Sequence, residues 1–155
     1  MNTVPVETIA LNEPKMSSSI VNLTSALRKV QASLTPALKD STNPFFKSKY
    51  ADLQSVWESI RGPLNDNGFA VIQLTGGNGT TLSVTTILSH VSGEWISGIT
   101  TMTPAKNDPQ GAGSCYSYAR RYALSAMLCT YASDDDANEA SKPAPKVVAT
   151  TNVKF

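Results

Sequence analysis

One histidine and two cysteines among 155 residues leave few donors for a metal centre. His90 has no second histidine and no cysteine cluster near it, whereas a zinc site draws on three or four such ligands. Cys115 and Cys129 fall on one predicted helix, 14 positions apart. At ~1.5 Å rise per residue their separation is about 21 Å, far beyond the ~7 Å that a disulfide tolerates. Both read as reduced, small core residues, the usual state in a cytosol. GxxxxGK[ST] is absent, which removes a P-loop. Gly111 and Gly113 lack the third glycine of a dinucleotide fingerprint, and no strand–loop–helix–strand unit follows them. No apolar run reaches membrane length and no secretory leader is evident, so a soluble intracellular protein is expected. Charge is sparse too, at 16% of residues and a formal net of +1. That total alone does not point to nucleic acid.

The distribution of charge says more. Between Ile20 and Thr130 there are nine basic residues and six acidic ones, and the acidic excess sits in SDDDANEA near the end. A modestly basic body thus carries an acidic appendage. Asp134, Asp135 and Asp136 have no catalytic partner in sequence and read as a solvated run. Hydrophobic residues make up 41%, enough for one core, and the length suits one domain with tails.

Period divides the chain. Residues 1–17 show none and contain Pro5 and Pro14, so they read as a flexible arm. From Ser18 or Ser19, either a plausible N-cap, Ile20, Leu23, Leu27, Val30, Leu34 and Leu38 recur at three- and four-residue steps, the mark of a helix. Pro36 disturbs its end. NPFFKSK is a polar and aromatic connector. Tyr50, Leu53, Trp57, Ile60 and Leu64 then give a second amphipathic helix that closes at Asn67-Gly68. After Gly68 the period becomes two. FAVIQLT, TTLSVTTILSH and WISGITTMT read as three strands joined by GGNG and VSGE, with Leu82, Val84, Thr86 and Leu88 on one face. The expected fold is α+β: two N-terminal helices, a three-stranded antiparallel meander, and a long C-terminal helix packed on the sheet. Its domain spans 18–133, and 134–155 is an acidic, then Pro/Ala/Thr-rich tail.

The last helix, GSCYSYARRYALSAML, places two arginines among three tyrosines. On a 100° projection Ala112, Cys115, Ala119, Tyr122, Ala123 and Ala126 share a face of mostly small residues, suited to close packing on a sheet. Arg120 flanks that face and reads as a scaffold residue. Arg121 falls nearly opposite, beside Leu124 and Leu128, and reads as a contact to DNA or to a neighbouring subunit. In FFKSKY two lysines alternate with aromatic rings, the composition of single-stranded nucleic-acid sites. Phe45, Phe46 and Tyr50 serve equally as anchors of the connector, so the lysines are the better functional candidates. DPQGAG is either an ordinary helix entry or a phosphate site at a helix N-terminus.

NPFFKSKYADLQSVWESIRGPLNDNGFAVIQ, followed by DPQGAGSCYSYARRYALSAMLC and SDDDANEA, closely resembles the ERF (essential recombination function) superfamily of phage single-strand DNA annealing proteins. The resemblance covers roughly residues 20–140. Its first block falls on Asn43, Pro44, Lys47, Lys49, Tyr50 and Asp52. The second falls on Asp108, Pro109, Gln110, Gly113, Ser114, Tyr118, Ala119, Arg120, Arg121 and Tyr122. It implies ATP-independent annealing of complementary strands in phage-type recombination, by a non-enzyme without cofactor or metal, in the cytoplasm of a bacterial host. It also implies a homo-oligomeric ring or filament, with a host or phage single-strand-binding protein or an exonuclease as candidate partners. Lys47, Lys49, Tyr50, Lys106, Gln110, Arg120 and Arg121 are the DNA-binding candidates; of these, Lys47, Lys49, Arg120 and Arg121 are expected to line one basic strip with Lys106 at its rim. Relatives with a larger C-terminal region exceed this chain, which ends in a short tail.

Three other functions compete. Helix–three strands–helix is also the order of a double-stranded RNA-binding module, although the final helix lacks a lysine cluster at its start and the extra first helix is then unexplained. The aspartates with magnesium would make a nuclease, and a purely structural oligomer would bind no nucleic acid.

Overall fold

The period-two segments form the frame. A computed structural model describes residues 14–37, 41–42, 49–78 and 80–131. In chain order the elements are β1 (Lys15–Met16), α1 (Val21–Ser33), β2 (Ser41–Thr42), β3 (Lys49–Tyr50) and α2 (Leu53–Asp66). They continue with β4 (Phe69–Gly77), β5 (Leu82–His90), β6 (Trp95–Met102) and α3 (Pro109–Leu128). β4, β5 and β6 are the expected antiparallel meander, with Val71 opposite Leu88 and Leu88 opposite Ile96. The sheet has a fourth strand, in the order β1-β6-β5-β4. It comes from the end of the segment expected to be a loose arm: Lys15 pairs with Ser97 and Met16 with Ile96. Two residues cannot show an alternating pattern, so the sequence carries no signal for this strand. β2 and β3 pair separately as a two-stranded antiparallel sheet.

One face of the sheet is covered. Val84, Thr86 and Leu88 point into it and are buried. α3 crosses β5 and β6 there, α2 packs on α3 and β4, and α1 packs on α2 and β5. The largest buried group gathers Leu23 and Val30 of α1, Val56, Ile60 and Leu64 of α2, Phe69 and Leu88 of the sheet, and Leu124 and Leu128 of α3. The opposite face carries Ile72 and Leu74, 46% and 55% exposed, with Ile99 across the sheet from them.

α3 approaches the sheet through Cys115, Ala119 and Ala123, all buried, as the small-residue projection predicts. The lower part of the stripe differs. Leu124 and Leu128 are buried while Tyr122 and Ala126 are exposed, because α1 and α2 cover the side that projection alone leaves open. Cys129 does not join the core; it ends α3 in a left-handed turn at φ 54°, exposed.

α1 differs from its expected span at both ends. It stops at Ser33, and Leu34 is already extended; Leu38 lies outside the described residues. Its N-cap position is Ile20 rather than Ser18 or Ser19, and Ser19 contributes only a long acceptor for the Val21 N–H, at 3.4 Å. Glu94, in the β5–β6 turn, accepts the Leu23 N–H at 2.6 Å, the Ser19 hydroxyl at 2.9 Å and the Asn22 amide at 3.1 Å. An acceptor that satisfies a free first-turn N–H is what a cap supplies. Here it comes from 71 residues away in sequence. Ser17 completes the junction by exchanging hydrogen bonds with the Trp95 backbone, both at 3.0 Å.

The backbone N–H of Leu23, and then the side chains of Ser19 and Asn22, hold the Glu94 carboxyl below the usual carboxylate range, against the opposing effect of its burial. A depressed folded value contributes stability above the unfolded value of ~4.3 and loses it as pH falls through the folded one. Glu94→Gln should therefore lower the melting temperature at pH 7, and the gap from wild type should narrow toward pH 3. An equal gap at both pH values in thermal melts would contradict the charged cap. Ala119→Leu tests the close crossing. Overpacking beneath α3 should cost about 1–3 kcal/mol in denaturant unfolding, and an unchanged midpoint would mean the crossing is loose.

Candidate nucleic-acid interface

Aspartates set both helices that carry the candidate residues. Asp52 caps α2, its carboxylate accepting the Ser55 N–H at 2.8 Å and the Ser55 hydroxyl at 2.9 Å. Asp108 caps α3, accepting the Gly111 N–H at 2.6 Å, and Pro109 follows it in the first turn. Two residues of the sequence motif are thus helix starts. The Asp108 cap also corrects the phosphate reading of DPQGAG. Pro109 has no N–H, Gly111 gives its own to a carboxylate, and Ala112 gives its own to the Asp108 carbonyl. The place an anion would take is held by a side-chain anion. Gly111 is required for another reason: a Cβ there would collide with the Lys106 carbonyl oxygen.

The two arginines are placed the other way round from the helical projection. Arg121 is the tied one. Its Nη1 donates to the Ala51 carbonyl at 2.8 Å. Its guanidinium lies over the rings of Tyr118 and Tyr122, 5.0 and 5.1 Å from their centroids. A charged donor on a carbonyl and two aromatic faces fix α3 to the entry of α2, so the outer side of α3 is an internal contact. Arg120 is the exposed one. Its Nε donates to the Gln73 side-chain oxygen at 3.1 Å, and the Gln73 amide donates to the Arg120 carbonyl and to the buried Thr86 hydroxyl, both at 3.1 Å. Among the described residues its two terminal nitrogens meet no acceptor. Projection failed here because it cannot know on which side α2 docks.

Three grooves adjoin across this side of the molecule. The first, about 470 Å³, is lined by Lys106, Gln110, Ser114 and Tyr118 at the start of α3. Ser114 and Tyr118 also line a second, of about 230 Å³, with Asp52, Leu53 and Arg121. Leu53 is shared in turn with the third, about 610 Å³, whose walls include Trp57, Val71, Gln73, Arg120 and Leu124. Lys106, Gln110, Arg120 and Arg121 are thereby brought onto one path. Lys49 and Tyr50 form β3, which leads directly into Ala51. Two extended residues span at most ~7 Å, so the Lys49 backbone lies within that reach of the Ala51 carbonyl that Arg121 holds. Lys47 and the Asp134–Asp136 run lie outside the described residues. No group of three metal-ligating side chains occurs among the described residues, and no described helix is long and apolar enough to cross a membrane. Trp57 is the residue that sequence reasoning missed. It fits the apolar stripe of α2, yet it stands 40% exposed at the rim of the largest of these grooves.

An α+β domain with one covered sheet face, and a polar and aromatic path over its helices, is the class of protein that fold and site define. The family model of the ERF superfamily matches residues 23–152, so the chain belongs to that superfamily. No curated protein and no solved structure matches it.

The arginine pair separates by measurement. Arg121→Ala should lose about 2 kcal/mol of stability, the scale of a charged hydrogen bond with its aromatic contacts. Arg120→Ala should stay within about 0.5–1 kcal/mol of wild type, since its contacts are solvent-exposed. Equal losses in urea unfolding would contradict the division.

Proposed function

We propose that this protein binds single-stranded DNA and anneals complementary strands without ATP, in phage-type recombination. The observation that carries the reading is the run of adjoining grooves from Lys106 to Arg120, on a chain of the ERF superfamily. Annealing asks for a surface that gathers phosphates of either strand without reading sequence. Side-chain cations that replace counterions supply the attraction, and aromatic faces accept any base. Lys106, Lys49 and Arg120 are the phosphate candidates in this reading, with Lys47 two positions before Lys49 in sequence. Gln110 and Tyr50 supply polar and ring contacts, and Arg121 holds the floor on which the others sit. No step calls for a bound nucleotide, so the protein acts as a binder rather than an enzyme.

Assembly into a ring or filament fits the edges of the sheet rather than the grooves. β4 is a sheet edge, and β1 with Ser17 covers β6 only from Trp95 to Ser97, leaving the rest of that edge unpaired among the described residues. Unpaired edges of opposite sides favour head-to-tail addition of copies, which repeats until it closes.

Complementary oligonucleotides should anneal faster with the protein than alone, in the absence of nucleotide. Lys106→Ala and Arg120→Ala should each flatten the slope of log K against log salt by ~0.7, with melting temperatures close to wild type. A requirement for ATP, or preference for duplex RNA over single strands in competition, would reject the reading. Intact slopes in both variants, with binding retained, would move the DNA path elsewhere.

A further inference from the structure

α2 buries Val56, Ile60 and Leu64, one residue per turn, and Leu53 packs half-buried against the same core. Trp57 lies beside that row without joining it. Its neighbours around the groove of about 610 Å³ are apolar at Leu53, Val71 and Leu124, and polar at Gln73 of β4 and Arg120 of α3. An indole held at a groove mouth offers a flat face, and burying such a ring removes ~150–250 Å² from water. The cation beside it is pre-set. Gln73 binds both the Nε and the main-chain carbonyl of Arg120 and is itself anchored on buried Thr86, so the guanidinium is oriented before any ligand arrives. The other amide of this groove, Gln54, is engaged with Glu58 at 2.9 Å along α2.

We propose that Trp57 is a base-stacking platform: the groove between α2, β4 and α3 receives one nucleobase of a bound single strand on the indole, and Arg120 meets a phosphate next to it. The proposal rests on the single-strand reading above and names the residue that carries its base contact. Charge decides the occupant. A second copy docking into an apolar groove would bury the open guanidinium nitrogens of Arg120 without a stated partner, a costly arrangement. A nucleotide brings a ring for the indole and an anion for the guanidinium together.

The chain has two tryptophans, so Trp95→Phe leaves Trp57 as the only indole and makes it a reporter. Titrating that protein with an oligothymidylate should quench its fluorescence in step with binding followed independently by anisotropy of a labelled strand. In the full chain, Trp57→Ala should weaken binding roughly 5- to 150-fold, the range expected for loss of one stacked base. Its salt slope should stay at the wild-type value, because stacking releases no counterion. Trp57→Phe should retain most of the affinity. Binding without quench, together with wild-type affinity in Trp57→Ala, overturns the platform and leaves the annealing function standing. Reduced oligomer mass with unchanged affinity makes Trp57 an interface residue and equally overturns it. Failure of the wild-type chain to bind any single strand removes the underlying function, and the platform with it. Should Trp57→Ala not fold, Trp57→Phe and the Trp95→Phe titration decide.

Discussion

The close crossing of α3 over the sheet is the constraint on which the other arrangements depend. Cys115, Ala119 and Ala123 give the helix a side with almost no side-chain thickness, and Ala119 is fully buried at its middle. A helix set that low brings its backbone within reach of side chains rising from β4. The Gln73 amide can therefore touch the Arg120 carbonyl as well as the Arg120 side chain. With bulkier residues in the stripe, the helix would stand off and the amide would span nothing. Seating also fixes direction: consecutive residues on a helix diverge by about 100°. Once Ala119 faces the sheet, Arg120 must turn toward β4 and Arg121 toward α2. The two identical side chains then have different work because of one alanine.

Glu94 supplies the second tie, and it works across the chain rather than along it. The carboxylate joins the β5–β6 turn to the first turn of α1, while Ser17 binds Trp95, the first residue of β6. A helix that lacks a local cap leaves N–H groups to be satisfied elsewhere. The consequence is that α1 is oriented by the meander and cannot swing independently of it. Its inner residues, Leu23 and Val30, then close the core over α2 and the lower end of α3.

How much of this was legible follows from the range of each signal. The meander, α2 and α3 show in period and turn residues because their patterns repeat over eight residues or more. The burial of Val84, Thr86 and Leu88 follows from the same alternation. β1 is two residues long and has no period to show. The cap of α1 is a glutamate 71 positions downstream of the N–H it accepts, which no local window contains. The candidate site divides similarly. Composition identified cationic residues near aromatic ones, and the superfamily blocks selected α3 and the entry of α2. The exchange of roles between Arg120 and Arg121 was hidden, because it depends on the side from which α2 docks. Trp57 was hidden for a related reason. An apolar residue on an apolar stripe reads as core, and only packed neighbours reveal that the buried row is Val56, Ile60 and Leu64.

The division of the sheet into two faces bears on how the proposed binding and the proposed assembly would coexist. Val71 and Gln73 of β4 point toward the helices and line the Trp57 groove. Their alternating neighbours, Ile72 and Leu74, point to the other side and are exposed. A strand one residue wide in register thus serves two surfaces that cannot interfere sterically through their side chains. In the proposed reading, contact between copies through the open face would leave the groove clear, and a bound strand would pass over the helical side of successive subunits. The reverse arrangement, with copies meeting through the helices, would cover the Arg120 nitrogens and Trp57. Two functions that compete for one surface require a switch between them, whereas functions on opposite faces of a sheet require only the pleat.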